Sequence, residues 1–176
     1  WSALALSEAP QAVEAVHAAY IDSGANVITS NSYAVVPFHI GEARFAAEGQ
    51  ALAALAGELA RRAVTASGKN VRVAGSLPPL FGSYRPDLFE AERVTELLTP
   101  LVKGLAPHVD LWLAETQSSI IEAKAIKAGL PQDGKPFWLS FTLKDEDTDD
   151  VPRLRSGESV AGAAEAAAQL GVQGLL

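Results

Sequence analysis

Helix and strand patterns alternate along the whole chain, and this alternation constrains the fold more than any other feature. Helical spacing of apolar residues predicts helices over residues 10–23, 48–66, 90–105, 118–130 and 158–170. Short runs rich in β-branched and aromatic residues predict strands at 25–33, 70–79, 109–116, 135–143 and 172–176. Nearly continuous apolar strands joined by helical crossovers indicate a parallel sheet covered by helices.

Two architectures fit a parallel sheet of this kind, a closed eight-stranded barrel or an open doubly wound sheet. The open sheet usually carries a G-x-G-x-x-G turn after a strand, and none of the turns here has that form. The sequence therefore favours an α/β fold of the (β/α)8 type. Five strands cannot close such a barrel, which typically needs about 250 residues. We expect residues 1–176 to form a single, incomplete barrel domain whose first and last strands are unpaired edges.

Composition narrows the class of partner. The net charge of −7 and the pI near 4.9 argue against nucleic acids and anionic membrane surfaces, which require concentrated Lys and Arg. No apolar stretch reaches the roughly 18 residues of a membrane span, and no signal-peptide pattern opens the chain. We therefore expect a cytoplasmic protein whose partners are small molecules. Cysteine is absent, which excludes thiolate chemistry within these residues.

Polar side chains follow several strands at the point where each apolar run stops. They are Thr29, Ser30 and Asn31 after the first strand, Gly75 and Ser76 after the second, Glu115 and Thr116 after the third, and Ser140 and Thr142 on the fourth. The carboxyl ends of barrel strands converge on one active face. One carboxylate among neutral hydrogen-bonding groups suits a small zwitterion, whose ammonium would meet Glu115.

Structural readings of the same residues stay open at this point. Glu115 could pair with a neighbouring Lys or Arg, or cap the helix that begins near Ser118. Asn31 could satisfy the backbone of its own loop. We assign no residue of the chain a catalytic or metal-ligating role.

The helix predicted at 10–23 carries an apolar stripe of Val13, Val16, Tyr20 and Ile21, and places His17 on an outward-facing flank with a structural role. The other two histidines lie in loop-like segments without a ligand partner at metal-site spacing. The acidic run at 144–151 lacks the glycine and the final glutamate of a calcium loop, so we interpret it as a solvated loop.

The segment "PPLFGSYRPDLFE" at 78–90 is long enough to fold over the active face. Its structural interpretation has Phe81 and Phe89 packing the loop onto the barrel while Arg85 pairs with Asp87. Its functional interpretation has Arg85 or Tyr84 touching a substrate.

Six motifs occur here in the order found in one known family. They are "WSALAL", "VHAAYIDSGANVITSNSY", "VAGSLPPLFGSYRPDLF", "LAETQSSIIEAKA", "PFWLSFTLKD" and "GVQGLL". Together they cover almost the whole chain, which resembles the homocysteine S-methyltransferase family. The resemblance implies a (β/α)8 barrel of which this chain holds strands 2 to 6.

The activity implied by the resemblance is transfer of a methyl group from S-methylmethionine, betaine or a methylfolate-type donor to the homocysteine thiol, giving methionine. The resemblance also implies Zn²⁺ held by three cysteine thiolates, which are absent from this chain, so we expect the segment by itself to be inactive. The alternative is a non-catalytic or repurposed barrel that binds an amino-acid-like small molecule.

The resemblance carries over to particular residues of the substrate site. Glu115 matches the family's glutamate that holds the homocysteine amino group, and Thr116 follows it as in relatives. Asn31 matches an asparagine beside the substrate. With the nearby hydroxyls of Ser30 and Ser140, these residues form the predicted substrate-binding set.

Overall fold

The computed structural model describes residues 2–145 and 151–176. Seven α-helices run over Ser2–Glu8 (α1), Pro10–Asp22 (α2), Pro37–Ile40 (α3), Glu42–Ser67 (α4), Val94–Leu105 (α5), Ile120–Gly129 (α6) and Val160–Gln169 (α7). Five strands run over Val27–Thr29 (β1), Arg72–Leu77 (β2), Leu111–Gln117 (β3), Phe137–Phe141 (β4) and Gly174–Leu175 (β5). Two short 3₁₀ helices, Pro86–Leu88 and Ala91–Arg93, precede α5.

The five strands form one parallel sheet in the order β1-β2-β3-β4-β5. Each strand pairs with the next strand along the chain, which is the connectivity of a (β/α)8 barrel. The prediction of a partial barrel with five parallel strands is confirmed. Within the described residues, β1 and β5 each pair on one side only, as expected for the ends of an incomplete barrel.

Apolar packing differs on the two faces of the sheet. The larger cluster joins the helices to strand residues such as Val73, Trp112 and Phe137. The smaller cluster contains strand residues alone, with Ala74, Leu111 and Leu113 at its centre. Side chains alternate between faces along a strand, so the smaller cluster marks the face turned away from the helices, which is the barrel interior.

The predicted helices and strands all exist, but several bounds differ. The predicted strands are longer than the observed ones because their polar ends leave the sheet for loops. Helix α4 begins at Glu42 rather than at 48. Helices α1 and α3 were missed because each is short, at seven and four residues. Pro100 lies inside α5, which continues through it.

The predicted stripe of helix α2 is wrong in part. Val13 and Ile21 are buried as expected, but Val16 and Tyr20 are 54% and 65% exposed. His17, expected to face outward, is buried instead. Residues 13, 17 and 21 lie four positions apart and form one row along the helix. Helix α2 packs against its neighbours through this row, and the adjacent row of Val16 and Tyr20 stays exposed.

The acidic run at 144–151 lies mostly outside the described residues, which omit 146–150. Across the part of the chain that is described, no helix has both the length and the apolar character needed to cross a membrane.

Gly104 of α5 is where two helices approach most closely. A Cβ at this position would lie 2.5 Å from the Gln50 carbonyl oxygen and 2.8 Å from the Ala54 backbone nitrogen of α4. Backbone atoms of a packed helix cannot move aside as a flexible side chain can. We expect Gly104→Ala to lower the free energy of unfolding by about 3 kcal/mol, the upper end for overpacking, in urea denaturation.

Gly162 on α7 provides the matched control. A Cβ there meets only the Ser159 hydroxyl at 3.2 Å and the end of a side chain at 4.0 Å. Alanine is also the better helix former by about 1 kcal/mol, so Gly162→Ala should be neutral or stabilising. Equal stability of the two variants would contradict close α4–α5 packing at Gly104.

Candidate functional site

Strand β3 ends in an irregularity that exposes its polar residues. Ala114 pairs with Leu139 of β4, and the next pair is Gln117 with Phe141. Glu115 and Thr116 therefore stand opposite a single residue, Ser140, which is the arrangement of a β-bulge. Thr116 has φ 62°, in the left-handed region that residues other than glycine rarely adopt. The bulge brings three of the predicted site residues to one place.

Hydrogen bonds join this place to the neighbouring strand ends. The Ser76 hydroxyl at the end of β2 donates to Glu115 Oε1 through a short hydrogen bond. The Ser76 backbone N–H donates to Ser30 Oγ at 3.0 Å. Ser32 Oγ donates to the Ser76 carbonyl at 2.9 Å and lies 2.9 Å from Ser30 Oγ. One buried network therefore links the carboxyl ends of β1, β2 and β3.

Glu115 is a largely buried carboxyl group without a cationic partner in the described part of the chain. No Lys, Arg or His nitrogen of residues 2–145 and 151–176 lies within 4.0 Å of it. Burial raises the pKa of Glu115, and the Ser76 hydrogen bond lowers it by a smaller amount. Helix α6 is capped by Ser119, not by Glu115. The described residues therefore support neither structural reading of this glutamate.

Asn31 faces a different neighbourhood. Its side-chain amide donates to the Ser2 carbonyl at 3.1 Å, and so bonds the backbone of helix α1 and not that of its own loop. Asn31 and Ser30 also line a cavity of about 600 Å³ between α1, α2 and β1. The structure thus groups Glu115, Thr116 and Ser140, and connects Ser30 to them through Ser76.

The predicted substrate-binding set left out two residues of this region, Ser76 and Gln117. The sequence also placed Gly75 on the wrong face of β2. Ser76 stood among the polar strand ends, but only tertiary pairing shows that its hydroxyl meets Glu115. Gln117 donates from its side-chain Nε2 to the Glu115 carbonyl at 2.9 Å and so spans the bulge. Gly75 lies on the opposite face, where a Cβ would come within 3.3 Å of Trp112.

The loop at 78–90 packs as its structural interpretation predicted. Phe81 and Phe89 meet edge-to-face with ring centroids 5.7 Å apart. Arg85 forms two hydrogen bonds to Asp87, at 2.7 and 2.8 Å. Tyr84 has a left-handed backbone, with φ 66°. The Arg155 guanidinium lies over its ring, 4.6 Å from the ring centroid. The aromatic pair anchors the loop, and Tyr84 connects it to the segment that follows β4.

The residues of this chain do not fit the zinc site that the resemblance implies. The chain contains no cysteine. Over residues 2–145 and 151–176, no three His, Asp or Glu side chains gather as a metal site requires. Any zinc would have to be held by groups other than cysteines of this chain.

Comparison with known proteins identifies the family of this chain. The sequence profile described as homocysteine S-methyltransferase matches residues 1–176, so the chain belongs to the homocysteine S-methyltransferase family. A curated relative, the homocysteine S-methyltransferase of Escherichia coli strain K12, is 31% identical over 84% of this chain and 53% of its own length.

Crystal structures of the homocysteine methyltransferase MmuM from Escherichia coli are similar over nearly the whole chain. The metallated form has a TM-score of 0.81 and 29% identity, and covers 99% of this chain and 65% of its own. The oxidized form has a TM-score of 0.80 and 27% identity, covering 99% and 64%. The chain therefore spans between about half and two thirds of the length of these relatives.

Removing the Ser76 hydroxyl should raise the pKa of Glu115 further. The hydroxyl donates to the carboxylate, so its loss removes a bond that favours the charged form. We expect Ser76→Ala to move the Glu115 titration to higher pH in carboxyl ¹³C NMR. Ser83→Ala is the control, since Ser83 bonds Tyr33 rather than Glu115. A downward shift in Ser76→Ala would contradict this geometry.

Glu115 should make stability fall as pH rises. Its folded pKa is raised, so its contribution is fully present below the pKa of the unfolded state and is lost as pH rises through the folded pKa. Glu115→Gln stays neutral throughout and can still accept from Ser76. We expect the variant to be more stable than the wild type at pH 7, with the difference shrinking as pH falls through the folded pKa of Glu115 and vanishing below about pH 4. Urea denaturation at several pH values measures it, and a less stable variant at pH 7 would contradict the assignment.

Proposed function

We propose that this protein transfers a methyl group from a small donor to the thiol of homocysteine, giving methionine, and that Glu115 binds the ammonium group of homocysteine. The observation that carries the proposal is a half-buried carboxyl group without a cationic partner in the described residues, at a barrel strand end of a chain in this family. The donors considered are S-methylmethionine, betaine and a methylfolate.

An ammonium group suits Glu115 for electrostatic reasons. Burial disfavours the charged carboxylate, and a bound cation restores it. Ser76 occupies Oε1, whereas Oε2 accepts no hydrogen bond from residues 2–145 and 151–176. That oxygen is available to a ligand N–H, and a charge-assisted hydrogen bond is about twice as strong as a neutral one.

Neutral donors at the ends of several strands would orient the rest of the amino acid. Thr116 and Ser140 face each other across the bulge and offer hydroxyl groups to a carboxylate. Asn31 uses one amide hydrogen on the Ser2 carbonyl and has a second available for a ligand. Ser30 holds the end of β2 in place through the Ser76 N–H.

The reaction itself is a displacement at carbon. The homocysteine sulfur loses its proton and attacks the methyl carbon, and a new S–C bond forms as the bond from methyl to the donor's sulfur or nitrogen breaks. Zinc, as proposed from the family, would lower the pKa of the thiol. The described residues supply binding and orientation, and we assign none of them to the transfer step.

The proposal is tested on the protein as its gene encodes it. Zinc content is measured, and methionine formation is followed from homocysteine with S-methylmethionine, betaine or methylfolate in turn. Methionine formed with one donor supports methyl transfer, and none formed with any donor overturns it.

Replacing Glu115 by Gln tests the ammonium site. The variant loses the charge while keeping the size, so homocysteine should bind about 10- to 100-fold more weakly, the worth of a hydrogen bond to a charged group. Calorimetric titration of homocysteine measures the affinity. Glu165→Gln on the exposed face of α7 is the control with the same change of charge. Unchanged affinity in Glu115→Gln would refute the assigned role.

A second candidate is a barrel that binds an amino acid without transferring a methyl group. Glu115 and the neighbouring hydroxyl groups would supply contacts for an amino acid without a metal. Homocysteine binding that depends on Glu115, without methionine formation or bound metal, would support this candidate over the first.

A further inference from the structure

A second buried glutamate lies close to the bulge in the chain and has no part in the proposed reaction. Glu122 of α6 is 4% exposed. Its Oε2 accepts hydrogen bonds from the Ser118 N–H at 2.9 Å and the Ser119 hydroxyl at 3.0 Å. Ser119 Oγ in turn accepts from the Glu122 N–H at 3.3 Å. The reciprocal hydrogen bonds between Ser119 and Glu122 form a capping box. A capping box does not require its glutamate to be buried.

The other oxygen of Glu122 shows that the arrangement does more than cap a helix. Glu122 Oε1 is buried and accepts no hydrogen bond from the described residues. The same holds for Oε1 of Gln117, whose residue is 0% exposed. Buried polar atoms are nearly always paired with protein or with ordered water, so two unpaired acceptors require a donor.

Both residues line one small cavity. It measures about 10 Å³ and lies between α6 and the loop at 78–93, with side chains such as Leu80, Val94 and Ile126 completing an otherwise apolar wall. A single water needs about 10 Å³ and two or more polar partners. Water donates two hydrogen bonds, which matches the two acceptors in number and kind.

We propose that one buried water molecule occupies this cavity and donates to Glu122 Oε1 and Gln117 Oε1, making Glu122 a positioning residue for the Glu115 bulge. The other end of the Gln117 side chain completes the connection. Its Nε2 donates to the Glu115 carbonyl at 2.9 Å and lies 3.5 Å from the Leu77 carbonyl of β2. Through this water, Glu122 fixes the side-chain amide of Gln117. That amide in turn fixes the backbone of the bulge at Glu115.

The turn needs such support because of its backbone. Thr116 is left-handed at φ 62°, a conformation that costs of order 1–3 kcal/mol and persists only where its surroundings impose it. Glu122 fixes the residues after Thr116 in two ways, through the Ser118 N–H and through the water and Gln117. Burial also raises the pKa of Glu122, and the polar contacts oppose that rise.

The experiment compares three variants by two NMR measurements. Carboxyl ¹³C NMR gives the pKa of Glu115, and cross-peaks from the Gln117 side-chain amide protons to a slowly exchanging water report the bound water. Glu122→Leu removes both acceptors, so the water should be lost and the Glu115 pKa should fall towards its ordinary value as the turn loosens. Glu122→Gln keeps one acceptor oxygen, which can still accept from Ser118 and Ser119, and turns an NH₂ donor towards the cavity. The water can accept from that NH₂ and still donate to Gln117 Oε1, so both signals should be preserved.

Glu158→Leu is the matched control. Glu158 accepts from the Ile120 N–H at 2.9 Å, at the same end of α6, but does not line the cavity. Its loss should weaken the helix end while leaving the water and the Glu115 titration unchanged. If Glu122→Leu does not fold, Gln117→Leu removes the other acceptor, and the Glu115 pKa should fall in the same way.

Neither readout needs a substrate, so this inference and the proposed function can fail separately. A wild-type protein without the slowly exchanging water overturns the water site, whether the cavity is dry or a protonated Glu122 donates to Gln117 directly. A Glu115 pKa that is unchanged in Glu122→Leu, or that moves equally in Glu158→Leu, overturns the positioning role.

Discussion

The central strand β3 is the element on which the rest of the structure depends. It pairs with β2 on one side and β4 on the other, and residues 111–114 are buried on both faces. A strand in this position must satisfy its backbone through its neighbours and its side chains through two apolar layers. Where it reaches Glu115 the pairing becomes irregular, because the left-handed backbone of Thr116 cannot continue the extended ladder. Pairing resumes at Gln117, which is fully buried, so the candidate site lies at an interruption within β3.

The serine hydrogen bonds at the strand ends compensate part of the free-energy cost of desolvating the Glu115 carboxylate. Glu115 is desolvated, and the Ser76 hydroxyl supplies one hydrogen bond in place of water. Ser76 is itself held by Ser30 and Ser32 from β1 and its following loop. A carboxylate with one oxygen fixed and no cation beside it in the described residues lowers stability, and in the proposed function the ammonium group of the ligand would supply the missing charge.

The two edges of the sheet show how an incomplete barrel leaves apolar surface uncovered. Beside β1, the exposed side chains of Val16 and Tyr20 line a cavity of about 600 Å³ together with His17. His17 is buried, its Nε2 has no partner in the described residues, and burial lowers its pKa. Sequence periodicity treated Val16 and Tyr20 as core because it registers apolar spacing and not the position of neighbouring elements.

The sequence by itself determined the alternation of helices and strands, the parallel sheet and the placement of Glu115, Thr116 and Ser140 at strand ends, because these follow from local periodicity and from where apolar runs stop. The structural interpretation of the loop at 78–90 also predicted the Arg85–Asp87 pair, whose members are close in the chain, and the packing of Phe81 and Phe89 onto the barrel. Only the tertiary structure decided that Ser76 meets Glu115, that Asn31 turns to Ser2, and that Gln117 and Glu122 share a cavity. Those contacts join residues whose meeting depends on strand register, on a bulge or on the packing of one helix against a loop, and no local pattern encodes them.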